Sequence, residues 1–189
     1  MILVSLFLYS QVEPQAMGLV DALIIEAPKG LVKEVQVAGK TYESGWKPCG
    51  WLEFSPGPFS FVILPGVKLK EGQDITIVYP DGGMSITRPL AVGQKFLALA
   101  DAGTGTICII TKAKVYEIVA TQGEDEVWYA DLSEFWKYDE PESGVELLEA
   151  GDCGIWGYYE EGLSLSRGTL SVEITDASGK KTAISVEAR

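Results

Sequence analysis

Apolar and polar residues alternate along most of this chain in short runs, broken every eight to twelve residues or so by Gly, Pro or Asp, which is the pattern of strands joined by tight turns. Over Thr169 to Thr175, Leu170, Val172 and Ile174 alternate with Ser171 and Glu173, so one face of that strand is apolar. It pairs with Thr182 to Glu187 across DASGKK. A second hairpin joins Asp74–Tyr79 to Met84–Arg88 through PDGG, where Gly82 and Gly83 supply the positive φ angles a tight turn needs. A third turns at or near Gly39, between Val35–Ala38 and Lys40–Glu43. Further strands are expected over 2–9, 19–27, 49–54, 59–64, 95–100, 106–111, 114–120, 126–130 and 154–159. Helical periodicity is confined to Asp131–Lys137, with Asp131 as the capping residue.

So many short strands at this spacing predict an all-β chain, an antiparallel β-sandwich or jelly roll, with a barrel or two small β-domains as alternatives. No linker, repeat or low-complexity tract stands out, and residues 1–189 read as one domain carrying an acidic, aromatic-rich elaboration over 121–162. The run Ile2–Tyr9 is apolar on both faces. It reads as a central strand covered on both sides, or as a terminal strand donated to a neighbouring subunit.

Charge separates one region from the rest. Between Glu124 and Glu161 the chain holds 13 acids and one base, Lys137, whereas the remainder holds 14 of each, so the net charge of −12 arises in that segment. Such a field repels nucleic acid and anionic membranes and favours cations or a basic partner. Ile2–Tyr9 is too short to span a bilayer and lacks a basic flank. The chain therefore reads as made in the cytoplasm without a signal peptide, with a virion as one setting for it.

The absence of histidine removes Ser-His-Asp and Cys-His nucleophiles, imidazole bases and histidine-ligated metals. GxSxG, GxxxxGK[ST] and GxGxxG motifs are also missing. Paired carboxylates remain available for glycoside chemistry. The adjacent pairs, Glu160–Glu161 and the acids of 124–126, point to opposite faces of a strand and do not form a dyad. No organic cofactor is expected. Clustered carboxylates leave a structural calcium ion open, although no DxDxDG loop is present. Cys49, Cys108 and Cys153 form no CxxC pair; a reduced chain is the simpler reading, and one disulfide plus a free thiol the other.

DAGTGT, residues 101–106, lies between two predicted strands. Over about a dozen residues it resembles the first phosphate loop of the sugar kinase and actin-like ATPase superfamily, in which Asp and small Gly/Thr residues surround nucleotide phosphates. That family also requires helices and a second phosphate loop, for which a mostly β chain has no room. A Gly-rich hairpin turn is the preferred reading.

The acidic segment also concentrates Trp128, Tyr129, Phe135, Trp136, Tyr138, Trp156, Tyr158 and Tyr159. Strand alternation sends Trp128 and Tyr129 to opposite faces, and Tyr158 opposite to Tyr159, so half of these rings belong to the core. Trp128, Tyr129, Trp136, Tyr138, Tyr158, Tyr159 and Glu160 are the candidate binding residues. The expected role is non-catalytic: a subunit of a larger assembly, such as a virion capsid, decoration or tail-type protein. It would meet copies of itself or other subunits through this surface. The alternative is a carbohydrate-binding sandwich in which exposed Trp and Tyr rings carry sugars, which requires a planar row of exposed rings.

Overall fold

Valine, isoleucine and threonine crowd the backbone least when it is extended, and the short runs they dominate become strands. The computed structural model describes residues 13–45, 49–138, 146–150 and 153–189, so the strand expected over 2–9 lies outside the described residues. In chain order the strands are β1 (Gln15–Leu19), β2 (Ala22–Glu26), β3 (Glu34–Val37), β4 (Lys40–Glu43), β5 (Leu52–Phe54), β6 (Phe61–Pro65), β7 (Ile75–Val78) and β8 (Met84–Thr87). There follow β9 (Phe96–Asp101), β10 (Thr106–Thr111), β11 (Val115–Gln122) and β12 (Asp125–Asp131). A single helical turn, α1 (Phe135–Tyr138), precedes β13 (Glu146–Ala150), β14 (Ile155–Glu160), β15 (Gly168–Asp176) and β16 (Lys181–Ala188).

These strands form three sheets. Sheet I has the order β1-β2-β6-β5, sheet II the order β4-β3-β7-β8, and sheet III the order β12-β11-β15-β16-β9-β10-β14-β13. Pairing is antiparallel within each, except where β16 meets β9 through Ala188 and Ala100. That lone parallel bridge lets sheet III fold on itself. Its two four-stranded halves face each other across a core of Phe96, Ile107, Ile109, Ile118, Trp128, Tyr158, Leu170, Val172 and Val186. The chain is an antiparallel all-β protein of β-sandwich type.

Sheet I lies between the other two. Alternate residues Leu23, Ile25, Val62 and Leu64 pack on Val35, Val37, Ile75 and Ile77 of sheet II. Their neighbours Ile24, Phe61 and Ile63 pack on Cys108 and Ile110 of β10 and Ile155 of β14. This explains why β2 and β6 read as nearly unbroken apolar runs: both faces are covered. β10 is likewise covered on both faces, with Ile107 and Ile109 in one core and Cys108 and Ile110 in the other. Polar contacts add to this joint. Arg189, bonded through its amide to Ala100, pairs with Glu26 and lies 5.2 Å from the Phe59 ring centroid.

Two expected boundaries shift. The run 19–27 is two strands, because Val20 and Asp21 form the turn between β1 and β2; the Asp21 carbonyl accepts the Gly66 amide at 2.8 Å. The segment 121–162 supplies β12, β13 and β14 to sheet III. The cysteines follow the second of the two readings: Cys49 and Cys153 form a disulfide that links the approach to β5 with the approach to β14, and Cys108 is a buried free thiol.

Candidate functional site

The expected aromatic surface divides according to which face of sheet III each ring meets. Trp128, 4% exposed, and Tyr158, fully buried, belong to the core and present no ring to a partner, which corrects their placement among the binding residues. The physical reason is that both lie on the inward-facing side of strands that cover the sheet III core. The Tyr158 hydroxyl accepts the Val115 amide at 3.1 Å, and burial raises its pKa against the lowering effect of that bond.

Trp136 follows α1 into a half-buried cluster. Asp131 Oδ1 accepts the Ser133 amide at 2.9 Å and so caps the turn that precedes it, as its position in the sequence suggests. Trp136 Nε1 donates to the Val115 carbonyl at 2.6 Å, and its ring meets Trp156 edge-on at 4.9 Å. The ammonium of Lys114 stands 4.7 Å from the Trp136 centroid and 5.7 Å from that of Trp156. Lys114 was not legible as a partner of these rings, since nothing in its own sequence neighbourhood marks it. The Tyr159 ring packs edge-on against Phe54 at 5.8 Å and closes the joint between sheets I and III. Tyr138 is the last residue of α1, and its ring lies outside the described side chains.

Tyr129 is different. It is 53% exposed on β12, a free edge of sheet III among the described strands, and Asp125, Glu126 and Asp131 on the same strand are exposed. Glu160, on β14, is half-buried, and desolvation raises its carboxyl pKa. Among the described residues no group of three or more Asp, Glu or Cys side chains converges to hold a metal ion, so the calcium idea gains no site there.

Two grooves among the described residues bear on function. One, of about 670 Å³, lies where Asp125, Glu126 and Val127 face the loop Ser164–Gly168. Gln122 fixes that loop with both ends of its amide, donating to the Ser166 carbonyl at 2.7 Å and accepting the Ser166 amide at 2.9 Å. The other, of about 460 Å³, runs along β8 and the turn before it and is lined also by Glu13, Pro14, Leu31 and Tyr79. Met84 and Ile86 stand beside it 68% and 69% exposed. The alternation Met-Ser-Ile-Thr identifies a strand but does not reveal that the apolar side faces out.

DAGTGT forms the β9–β10 hairpin. Asp101 Oδ1 accepts the Thr104 amide at 2.8 Å and the Thr104 hydroxyl at 2.9 Å. Burial alone would raise the Asp101 pKa; these bonds, the Gly103 amide and the charge of Arg189 bring it below its usual value. Asp101 Oδ1 is thus taken up by the turn itself.

An all-β sandwich with exposed strand edges and open grooves defines a broad structural class. No family model matches the chain, and no curated protein matches it. Among solved structures it is similar to the Bacteroides ovatus mixed-linkage glucan utilization locus protein SGBP-B in complex with mixed-linkage heptasaccharide, at 9% identity and a TM-score of 0.32, over 92% of this chain and 43% of that one. It is also similar to titin Ig tandem domains, at 10% identity and a TM-score of 0.25, over 94% and 95% of the two chains. The chain spans less than half the length of the first of these structures. At these scores the likeness carries no functional argument.

Proposed function

We propose that this protein is a non-catalytic subunit of a larger assembly, which it joins through the edge strand β12. The observation that carries the reading is the exposure of Tyr129 on β12, the end strand of sheet III among the described strands, with Asp125, Glu126 and Asp131 exposed beside it. A large ring supplies contact area, the edge offers backbone hydrogen bonds, and the acids select a basic counterpart. No feature of the described residues is particular to a virion, so the assembly is of unspecified kind. The Cys49–Cys153 bridge favours an oxidising compartment over the cytoplasm for the mature protein.

Light scattering across a concentration and salt series tests the proposal, first on the protein alone and then with basic partner proteins. Association that weakens with salt and falls at least tenfold on Tyr129→Ala supports it. Association indifferent to both changes would sink it, as would a strict monomer that binds no basic protein.

A second reading, a module for a polyhydroxylated ligand such as a glycan, is favoured by the 670 Å³ groove, whose walls carry the side chains of Gln122, Asp125, Glu126, Ser164, Arg167 and Thr169. It lacks the planar row of exposed rings that a sugar platform needs: among the described residues Tyr129 is the one aromatic side chain that stands out as exposed. A glycan array decides it, and binding lost on Arg167→Ala would place the ligand in this groove.

A further inference from the structure

Unbalanced charges of opposite sign stand at the two ends of β15. The strand starts at Gly168 and Thr169, which line the groove of about 670 Å³ beside Asp125 and Glu126, and it ends at Asp176, where the exposed turn 177–180 leads into β16. Its nine extended residues set these ends about 30 Å apart.

At the far end two ammonium groups adjoin. Lys180 closes the turn and Lys95 precedes β9; the Lys180 charge beside it holds the Lys95 pKa below the usual lysine value, with desolvation acting the same way and Asp176 opposing. Asp176 offsets the pair only in part, because its Oδ1 is taken up by the turn, accepting the Ser178 amide at 2.8 Å and the Lys180 amide at 3.1 Å. Lys181, next in the chain, is paired with Glu173 at 2.8 Å. Lys114 is exposed on the same side, where its carbonyl accepts the Ala177 amide at 3.2 Å. Among the described residues neither Lys95 nor Lys180 forms a salt bridge. Two like charges held together in this way attract a carboxylate from outside the molecule.

At the near end the balance is reversed. Asp125 and Glu126 are exposed, form no salt bridge among the described residues, and share the groove lining with a single cation, Arg167. The shapes match as the charges do, since the acidic end is concave and the basic end is an exposed turn. Copies of this chain each carry a net charge of −12. Exposed charges further apart than about 10 Å are nevertheless screened at about 0.1 M salt, so the pairs in contact decide between attraction and repulsion.

We propose that a second copy of this chain is the basic counterpart of β12, with its Lys95 and Lys180 seated against Asp125 and Glu126 at the groove. The two surfaces differ and lie at opposite ends of one strand, so copies join head to tail. The inference rests on the role proposed for β12 and names the partner that role requires.

Charge reversal at each end, read by light scattering of the full chain at about 0.1 M salt, tests the contact. Asp125→Lys with Glu126→Lys forms one variant, and Lys95→Glu with Lys180→Glu the other. All four positions are exposed, so each variant should keep the native melting temperature while its self-association weakens about tenfold or more. Mixed in equal amounts, the two variants should recover the association of the native chain, since each then offers the charge the other lacks. The neutral pair Asp125→Asn and Glu126→Gln should weaken association in the same direction, and it replaces the first variant if reversal disturbs the hairpin. A mixture no stronger than either variant alone, variants that associate as the native chain does, or a native chain that stays monomeric overturns the proposal. Binding of foreign basic proteins that still depends on Tyr129 would then leave the role of β12 standing without this counterpart, whereas loss of that binding removes both.

Discussion

Tyr158 and Val115, 43 residues apart in sequence, meet inside the sheet III core, where the Val115 amide donates to the Tyr158 hydroxyl at 3.1 Å. The partnership has a local cause. The register between β11 and β15 shifts between Val115 and Glu117, and beside this irregularity the Tyr158 hydroxyl satisfies the buried Val115 amide. Tyr158→Phe keeps the ring and leaves a buried N–H without an acceptor. The expected loss is about 1–3 kcal/mol in chemical denaturation with an unchanged fold; a loss below a few tenths would show that the bond contributes little.

Gly105 separates two ways in which a turn glycine is required. Its φ is +67°, and an added Cβ would lie 2.2 Å from the Leu163 carbonyl oxygen, whose own amide donates to the Gly105 carbonyl at 2.9 Å. Gly123 has nearly the same φ, +66°, with nothing within 4 Å. Gly123→Ala should therefore cost only the conformational penalty of about 1 kcal/mol, and Gly105→Ala at least about 2 kcal/mol more, because backbone must move. Equal melting temperatures for the two variants would refute the close approach.

The Cys49–Cys153 bridge spans 104 residues and ties sheet I to sheet III. Its removal by reductant, or by Cys153→Ala, should lower stability by about 2–5 kcal/mol. Cys108 is the control: burial raises its thiol pKa, with Glu26 adding to the effect, so thiol reagents should modify it only after unfolding. A melting temperature indifferent to reductant, or two reactive thiols in the native protein, would rule the bridge out.

Acid should weaken the β9–β10 hairpin in a defined window. The folded Asp101 pKa lies below its usual value of 3.8, so the hydrogen bonds of its carboxylate contribute stability above about pH 4 and lose it as pH falls through the folded value. Asp101→Asn should be less stable than the native protein at neutral pH, with the difference shrinking below pH 4. A difference constant from pH 7 to pH 3 would exclude the carboxylate as the cause.

Where the sequence was informative, local chemistry determined the structure. Alternation in Thr169–Thr175 and the PDGG turn act within a few residues and stand where expected; Asp131 accepts the Ser133 amide at the expected place, although α1 begins only at Phe135. The Val35–Glu43 hairpin turns at Ala38 and Gly39, both at positive φ as a two-residue turn demands. What stayed hidden depends on contacts distant in sequence. Tyr158 and Tyr159 are equally aromatic and adjacent, yet one fills the sheet III core and the other closes the joint onto Phe54, because both faces of β14 are covered. Of the site residues placed by sequence, Tyr129 has the exposure that a docking surface needs, since β12 alternates on a sheet with one solvated face. The pairing of Cys49 with Cys153 and the outward turn of Met84 and Ile86 both follow from how sheets meet, which no short window records.

The double burial of β10 bears on how this protein comes apart. Ile107 and Ile109 are needed by one core, and Cys108 and Ile110 by the other, so neither layer can melt while the other keeps a complete strand. Heating should produce one cooperative transition with matching calorimetric and van't Hoff enthalpies. Ile109→Val and Ile110→Val should shift that same transition although they touch different cores; two resolved steps would mean that the shared strand does not couple them.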